Sequence, residues 1–197
     1  TCYNRAYILE KAIKSILSQT CLDWECLIVD DGSNDNTTEI AKKYCDTDSR
    51  FRYLYHSNRK QAQSKNVGIL AASGMFITFL DSDDEYATNH LEIRQRILFQ
   101  YPDVEFLHGG VRVIGDEFVP NRDNTQELIK LSECIIGGTF VVRKEAAISI
   151  GGFDEFDYGD DTEFFDKAEK MGLVIAKIDF PTYIYNRNSI DSICNKM

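Results

Sequence analysis

The run Met75-Phe76-Ile77-Thr78-Phe79-Leu80-Asp81-Ser82-Asp83-Asp84 decides the fold. An apolar segment of strand length that stops abruptly in acids reads as a buried strand ending at a polar turn. Upstream, Trp24-Glu25-Cys26-Leu27-Ile28-Val29 has the same design and stops in Asp30-Asp31-Gly32-Ser33. Between and around these two strands the periodicity changes to 3.6. Over residues 7–19, Leu9, Ala12, Ile13, Ile16 and Leu17 recur at helical spacing, with Lys11, Lys14 and Ser15 on the other face. Further helices are expected at 37–44, 61–72 and 88–101, the last closed by Pro102, with strands at 51–55 and 104–107. Strands alternating with helices predict an α/β fold: a mostly parallel sheet with right-handed crossovers and helices on both faces.

The second half is less regular. Residues 109–133 have mixed polarity, so strand fragments and a flexible segment are expected there. A strand at 137–142, helices at 144–150 and 161–170, and strands at 174–178 and 183–185 complete the pattern. No internal repeat or low-complexity tract interrupts it, and 197 residues suit one domain with a sizeable core.

Charge excludes one class of partner. With 22 Lys and Arg against 32 Asp and Glu, the chain carries a net charge of -10, and a phosphate backbone would repel it, so no nucleic-acid partner is expected. No apolar run reaches membrane-span length and no signal peptide is visible, which reads as cytoplasmic. Six cysteines, Cys2, Cys21, Cys26, Cys45, Cys134 and Cys194, are scattered without a Cys-x-x-Cys and accompany only three histidines. This argues for free thiols rather than a zinc site or a disulfide framework. The chain starts at Thr1 and stops after Cys194-Asn195-Lys196-Met197, which reads as a fragment of a longer polypeptide.

In an open parallel sheet, ligands bind beyond the carboxyl ends of the strands. Two strands here end in acids that should face that crevice, and crowded carboxylates in an acidic protein call for a cation. An oxygen-only donor set suits Mg²⁺ or Mn²⁺. If the strand continues through them, Asp81 and Asp83 point to one side and Ser82 to the other. The competing reading is a solvated turn in which Asp83 or Asp84 serves the next helix N-terminus. A third cluster surrounds Tyr158-Gly159-Asp160-Asp161-Thr162-Glu163, where Asp160 and Glu163 have capping-box spacing. With Asp160 as cap, Asp161 falls in the first turn, free to accept a proton.

Taken in order, the landmarks resemble the family 2 glycosyltransferases, inverting enzymes with the nucleotide-sugar-binding GT-A fold. Thr1-Cys2-Tyr3-Asn4-Arg5 is similar to the end of the family's first strand. Ser18-Gln19-Thr20, Val29-Asp30-Asp31-Gly32-Ser33, Asn66-x-Gly68, Phe79-Leu80-Asp81-Ser82-Asp83-Asp84, Gly152-Phe153-Asp154-Glu155 and Asp160-Asp161 resemble later landmarks. The resemblance spans residues 1–197 as a single domain, with 1–108 the nucleotide-sugar half and 109–197 the acceptor and base half. It implies that Thr1, Tyr3 and Asp31 hold the nucleoside, that Lys65, Asp81 and Ser82 also serve the nucleotide, that Asp83 contacts the metal, Mn²⁺ or Mg²⁺, and that Asp161 is the general base. The implied partners are a nucleotide-sugar donor, a UDP-sugar first, and a glycan or lipid-linked acceptor, as in polysaccharide biosynthesis. Peripheral membrane association and oligomeric state stay open.

There are departures from the family pattern. Lys65 stands where an Arg is usual, Asp160 where a Glu is more common, and Asn188 where many relatives carry a His. The processive Gln-x-x-Arg-Trp is absent, since the single tryptophan is Trp24, which implies a non-processive hexosyltransferase. The start of the first strand is missing from the sequence, which would leave apolar sheet edges uncovered. Two other readings compete: a catalytically silent nucleotide-sugar-binding domain, and a sugar-phosphate nucleotidyltransferase, which lacks its Gly-rich phosphate loop here. The three histidines and the alternating Phe51, Tyr53 and Tyr55 are most simply structural, while the pair Asp154-Glu155 is explained equally well by turn formation after Gly151-Gly152 and by the acceptor-side loop that the resemblance implies.

Overall fold

The computed structural model describes residues 1–156 and 158–188. Cys194, Ser189 and the end of the chain, on which parts of the sequence reading fell, lie outside the described residues. In chain order the elements are α1 (Leu9–Leu17), β1 (Cys26–Asp30), α2 (Thr37–Thr47), β2 (Phe51–Tyr55), α3 (Lys60–Ala71), β3 (Phe76–Thr78), β4 (Glu85–Tyr86) and α4 (His90–Gln100). There follow β5 (Phe106–His108), β6 (Val111–Ile114), β7 (Phe118–Pro120), β8 (Leu128–Lys130), β9 (Val141–Arg143), α5 (Lys144–Ser149), α6 (Asp160–Lys170), β10 (Ile175–Lys177) and β11 (Tyr183–Asn186).

The apolar stripe of α1 is buried at Leu9, Ala12 and Ile13, whereas Ser15, expected on the opposite face, is buried as well and Leu17, expected in the stripe, is exposed. Leu9 and Ile13 of α1 and Ala41 and Tyr44 of α2 bury against Ile28 of β1 and Phe51 of β2. β1 and β2 pair in parallel from Cys26 opposite Phe51 to Asp30 opposite Tyr55. The second sheet has the order β10-β5-β9-β3. Here the two-residue period sorts side chains between faces. Ile77, Phe106 and Val142 pack with α3, α5 and α6, whereas Phe76, Leu107 and Val141 pack with Leu98 of α4. Helices therefore cover both faces, and the α/β class stands.

Three local expectations are corrected. The sheet is mixed rather than mostly parallel, because β9 runs antiparallel to both β5 and β3, and β4 and β7 also pair antiparallel. The strand expected at 137–142 begins only at Val141, and Gly137–Thr139 is a 3-10 turn. The run 75–80 is a strand only over Phe76–Thr78, so Asp81–Asp84 form a turn closed by Asp84 N–H to the Asp81 carbonyl at 3.1 Å. Strand alternation thus does not place Ser82 away from Asp81 and Asp83. In the irregular region, 109–133, the chain forms β6 and the antiparallel hairpin β7–β8.

An apolar slot of about 690 Å³ separates the two sheets. Its walls are β1, β3 and the inner faces of α1 and α3, including Ile13, Ile28, Ile69 and Ile77. At its upper end Cys2 makes one parallel bridge to β1, donating to the Val29 carbonyl at 2.9 Å and accepting from Asp31 N–H at 2.9 Å.

Candidate functional site

The ends of β1 and the β3 extension open into one cleft of about 760 Å³, roofed by the hairpin β7–β8 and by the start of α6. Thr1, Tyr3, Asp31, Asp81, Ser82, Asp83 and Asp161 all line it. Seven of the eight residues singled out from sequence therefore meet in one place. The eighth, Lys65, is only 4% exposed and faces the acids of α6 rather than the open cleft.

At the β1 end of the cleft the two aspartates at the end of the strand separate in role. Asp30 is fully buried and takes Ser33 N–H at 2.8 Å and Tyr53 O–H at 2.7 Å, which holds the turn Asp31–Ser33. Gly32 sits in that turn at φ +84°, and a Cβ there would press on the backbone of Asn58, so only glycine fits. Asp31 faces the cleft, its Oδ1 taking Arg59 N–H at 2.6 Å with His56 Nδ1 3.3 Å away. The Tyr3 ring is 45% exposed, an aromatic surface available to a ligand.

The acid turn is tied down from behind. Asp84 accepts Tyr183 O–H at 2.6 Å and Asn186 N–H at 2.7 Å, fixing the turn to β11. It caps no helix, contrary to the alternative reading. Burial, reinforced by the Asp81 charge, pushes Asp84 up to about 8 despite those bonds. Burial also pushes Asp81 up to about 6, with Lys65 pulling it down and Asp161 and Asp83 pushing it up. No side-chain cation pairs with Asp81 or Asp83 among the described residues. This donor set fits a hard divalent ion: oxygen ligands on one turn, an open cleft beside them, and a local excess of negative charge. Among the described residues no three of His, Cys, Asp and Glu converge into a cage. Magnesium-like ions use one or two carboxylates plus substrate phosphates, and that sparse set is what is present.

The α6 end of the cleft is built differently. Gly159, at φ +84°, is the residue before α6, and Asp160, Asp161 and Glu163 fill the first turn, where the helix dipole favours them. Asp160 is not the cap that its spacing predicted. Its carboxylate turns to Lys65, whose Nζ lies 2.9 Å from Asp160 Oδ2 and 2.7 Å from Asp161 Oδ1. Burial alone would lower the Lys65 pKa, but Asp161, Asp160 and Asp81 together raise it, so the ammonium stays charged. Burial and the Asp161 charge raise Asp160 against the pull of Lys65. Asp161 Oδ2 also takes Gly137 N–H at 2.9 Å.

The Asn66-x-Gly68 landmark explains how Lys65 is aimed. Asn66 exchanges two hydrogen bonds with the Phe153 backbone, each 2.8 Å, and Phe153 stacks on Phe164 at 4.1 Å. Lys65 Nζ rests 4.5 Å over the Phe153 ring. Gly152, at φ +70°, leaves room for the Asn66 amide.

Several cleft residues carried no signal in the sequence. Gln61 donates to Asp81 Oδ1 at 3.4 Å, Tyr158 O–H holds the Pro120 carbonyl at 2.8 Å, and Arg122 reaches Asp166 at 3.5 Å. Each becomes recognisable only when α3, the hairpin and α6 converge. Cys2, Cys21, Cys26 and Cys45 are free, and burial pushes Cys2 up to about 11 and Cys26 to about 12, which leaves those two inert thiols. His90 stacks on Tyr86 and bonds Thr182, and His108 packs on Phe165, both structural positions.

Residues 1–153 match the family model described as glycosyl transferase family 2. The UDP-Glc:alpha-D-GlcNAc-diphosphoundecaprenol beta-1,3-glucosyltransferase WfgD of Escherichia coli is 34% identical over 147 residues, covering 71% of this chain and 56% of WfgD. S. aureus TarS 1–349, solved in complex with UDP-GlcNAc, is similar with a TM-score of 0.80 at 19% identity, covering 97% of this chain and 58% of that one. The mannosyltransferase PcManGT from Pyrobaculum calidifontis, solved with GDP-Man and Mn²⁺, gives 0.73 at 19%, covering 93% and 54%. The chain thus spans little more than half the length of these proteins, and the structural likeness is one of fold.

Proposed function

This chain belongs to glycosyl transferase family 2, and on that premise we propose that it moves a sugar from a nucleotide sugar, a UDP-sugar first, to a hydroxyl of a glycan or lipid-linked acceptor. The observation that carries this reading is a single cleft with the acid turn Asp81–Asp83 on one wall and Asp161, already held in place, on another. Residues 1–108 supply the nucleotide side and 109–197 the acceptor and base side.

Tyr3 offers its ring to the base and Asp31 a carboxylate to a ring N–H, while Thr1 and Ser82 line the path to the ribose and diphosphate. Asp83, with Asp81 beside it, would hold Mg²⁺ or Mn²⁺, which supplies Lewis-acid neutralisation of the departing diphosphate. Asp161 takes the proton of the acceptor hydroxyl as that oxygen forms its bond to the anomeric carbon and the bond from that carbon to the diphosphate oxygen breaks. The electron pair leaves with the nucleoside diphosphate, and one in-line displacement inverts the anomeric centre. The name of WfgD, whose acceptor carries a lipid diphosphate, supports a lipid-linked acceptor. Such an acceptor would bring the protein to a membrane surface. Among the described residues no helix is long and apolar enough to cross one.

Asp161→Asn tests the reading. Transfer of labelled sugar should fall by about 10²- to 10⁴-fold, the usual contribution of a positioned base, while calorimetric UDP affinity with Mn²⁺ stays within about twofold. Near-normal turnover removes Asp161 as the base.

A further inference from the structure

The turn Gly137–Thr139 stands between the two walls of the cleft, and all three residues are buried. Neither Gly137 nor Gly138 has a positive φ, so backbone conformation does not demand glycine at either position. Space does. A Cβ on Gly137 would collide with both oxygens of the Asp161 carboxylate, and a Cβ on Gly138 would collide with the Tyr183 ring and its hydroxyl. The turn itself is anchored from the far side. Thr139 Oγ1 donates to the Ile136 carbonyl at 2.7 Å and accepts Gly109 N–H at 3.0 Å, and the next residue, Phe140, is fully buried.

We propose that Gly137 and Gly138 are positioning residues: one two-residue turn fixes the base on one side and, through Tyr183 and Asp84, the acid turn on the other. Gly137 acts on Asp161 twice, by its N–H at 2.9 Å and by the absence of a side chain. Gly138 lets the Tyr183 ring lie flush, so that the phenol reaches Asp84 at 2.6 Å next to Asp83. A displacement in which a proton leaves at one end and a diphosphate at the other needs that span held constant, since small misplacements of reacting groups are costly. A rigid turn without side chains is a compact way to set it. This rests on the reading of Asp161 as base and Asp83 as the metal contact.

The test is a mutant cycle on the 197-residue chain, read as melting temperature and as UDP affinity with Mn²⁺. Gly137→Ala should lower the melting temperature by about 5 °C in the native background, as overpacking does, and by about 1 °C or less when combined with Asp161→Ala, which removes the colliding carboxylate. Equal losses in both backgrounds overturn the contact with the base. Gly138→Ala should weaken UDP·Mn²⁺ binding about tenfold or more, and Tyr183→Phe, which keeps the ring and removes the bond to Asp84, should reproduce the loss, whereas Gly137→Ala should leave affinity within about twofold. Wild-type affinity in Tyr183→Phe overturns the link to the acid turn. If either alanine variant fails to fold alone, the Gly137→Ala/Asp161→Ala double variant and Tyr183→Phe still decide. Failure of the transferase reading itself shows separately, as turnover by Asp161→Asn, because the cycle needs no activity.

Discussion

The two acidic walls of the cleft are neutralised in opposite ways. On the α6 side, Asp160 and Asp161 share a resident cation, Lys65, buried between α3 and α6 and braced by the Asn66–Phe153 exchange. On the side of the acid turn, Asp81 and Asp83 form no ion pair among the described residues, and the turn is held by the bonds of Asp84 and by Gln61 on Asp81. One wall carries a cation of its own; the other has no ion pair among the described residues. Under the proposed function, this difference would separate a carboxylate positioned in advance of the acceptor from carboxylates left open to a divalent ion and its diphosphate.

The largest expected effect comes from breaking the wall that carries its own cation. Lys65→Met leaves two acids facing each other in a part-buried site, and removing one partner of such a group costs about 3–5 kcal/mol. Urea unfolding should show it, with Lys65→Arg recovering most of the loss because the charge is retained. A Lys65→Met protein as stable as the parent would erase the contrast between the walls. Next in size is Asp83→Ala, which should weaken UDP binding in Mn²⁺ about tenfold while leaving binding in EDTA unchanged. Unaltered Mn²⁺ dependence would remove Asp83 from the metal site.

The smallest effect sharpens the comparison through pH. Asp81 and Asp84 hold their protons more tightly folded than unfolded, with folded values raised to about 6 and about 8. Their contribution is fully present below the ordinary carboxylate range near 4 and is lost as pH rises through 6 and then 8. In EDTA the melting temperature should therefore fall by a few degrees, about 2–4 °C per kcal/mol, between pH 5 and 8.5, and Mn²⁺ should flatten the profile. A metal-free melting temperature that climbs over that interval would contradict the uncompensated character of this wall.

Much of this was readable without coordinates. The strand ending at Asp30, the strand before the Asp81 turn, the amphipathic stripe of α1 and the helix after Gly159 are local patterns, each set by the period of its own backbone. Boundaries were less legible, because Phe79 and Leu80 are as apolar as a strand requires and yet belong to the turn's approach. The antiparallel β9 was not legible either, since strand direction is fixed by which edge a segment meets. Asp160 shows the same limit: its spacing fits a cap, but Lys65, 95 positions away, offers a charge that a backbone N–H cannot match.

The sequence by itself determined the α/β class, the resemblance to a nucleotide-sugar transferase family and a set of eight candidate residues of which seven line the cleft, because these rest on short-range periodicity and on chemistry carried by individual side chains. Tertiary structure alone decided that Lys65 serves the acids of α6, that Asp84 is bound to β11, and that Gly137-Gly138 separates Asp161 from Tyr183. Those are distances between segments far apart in the chain. No residue type announces them, and they exist only once the helices and strands have packed.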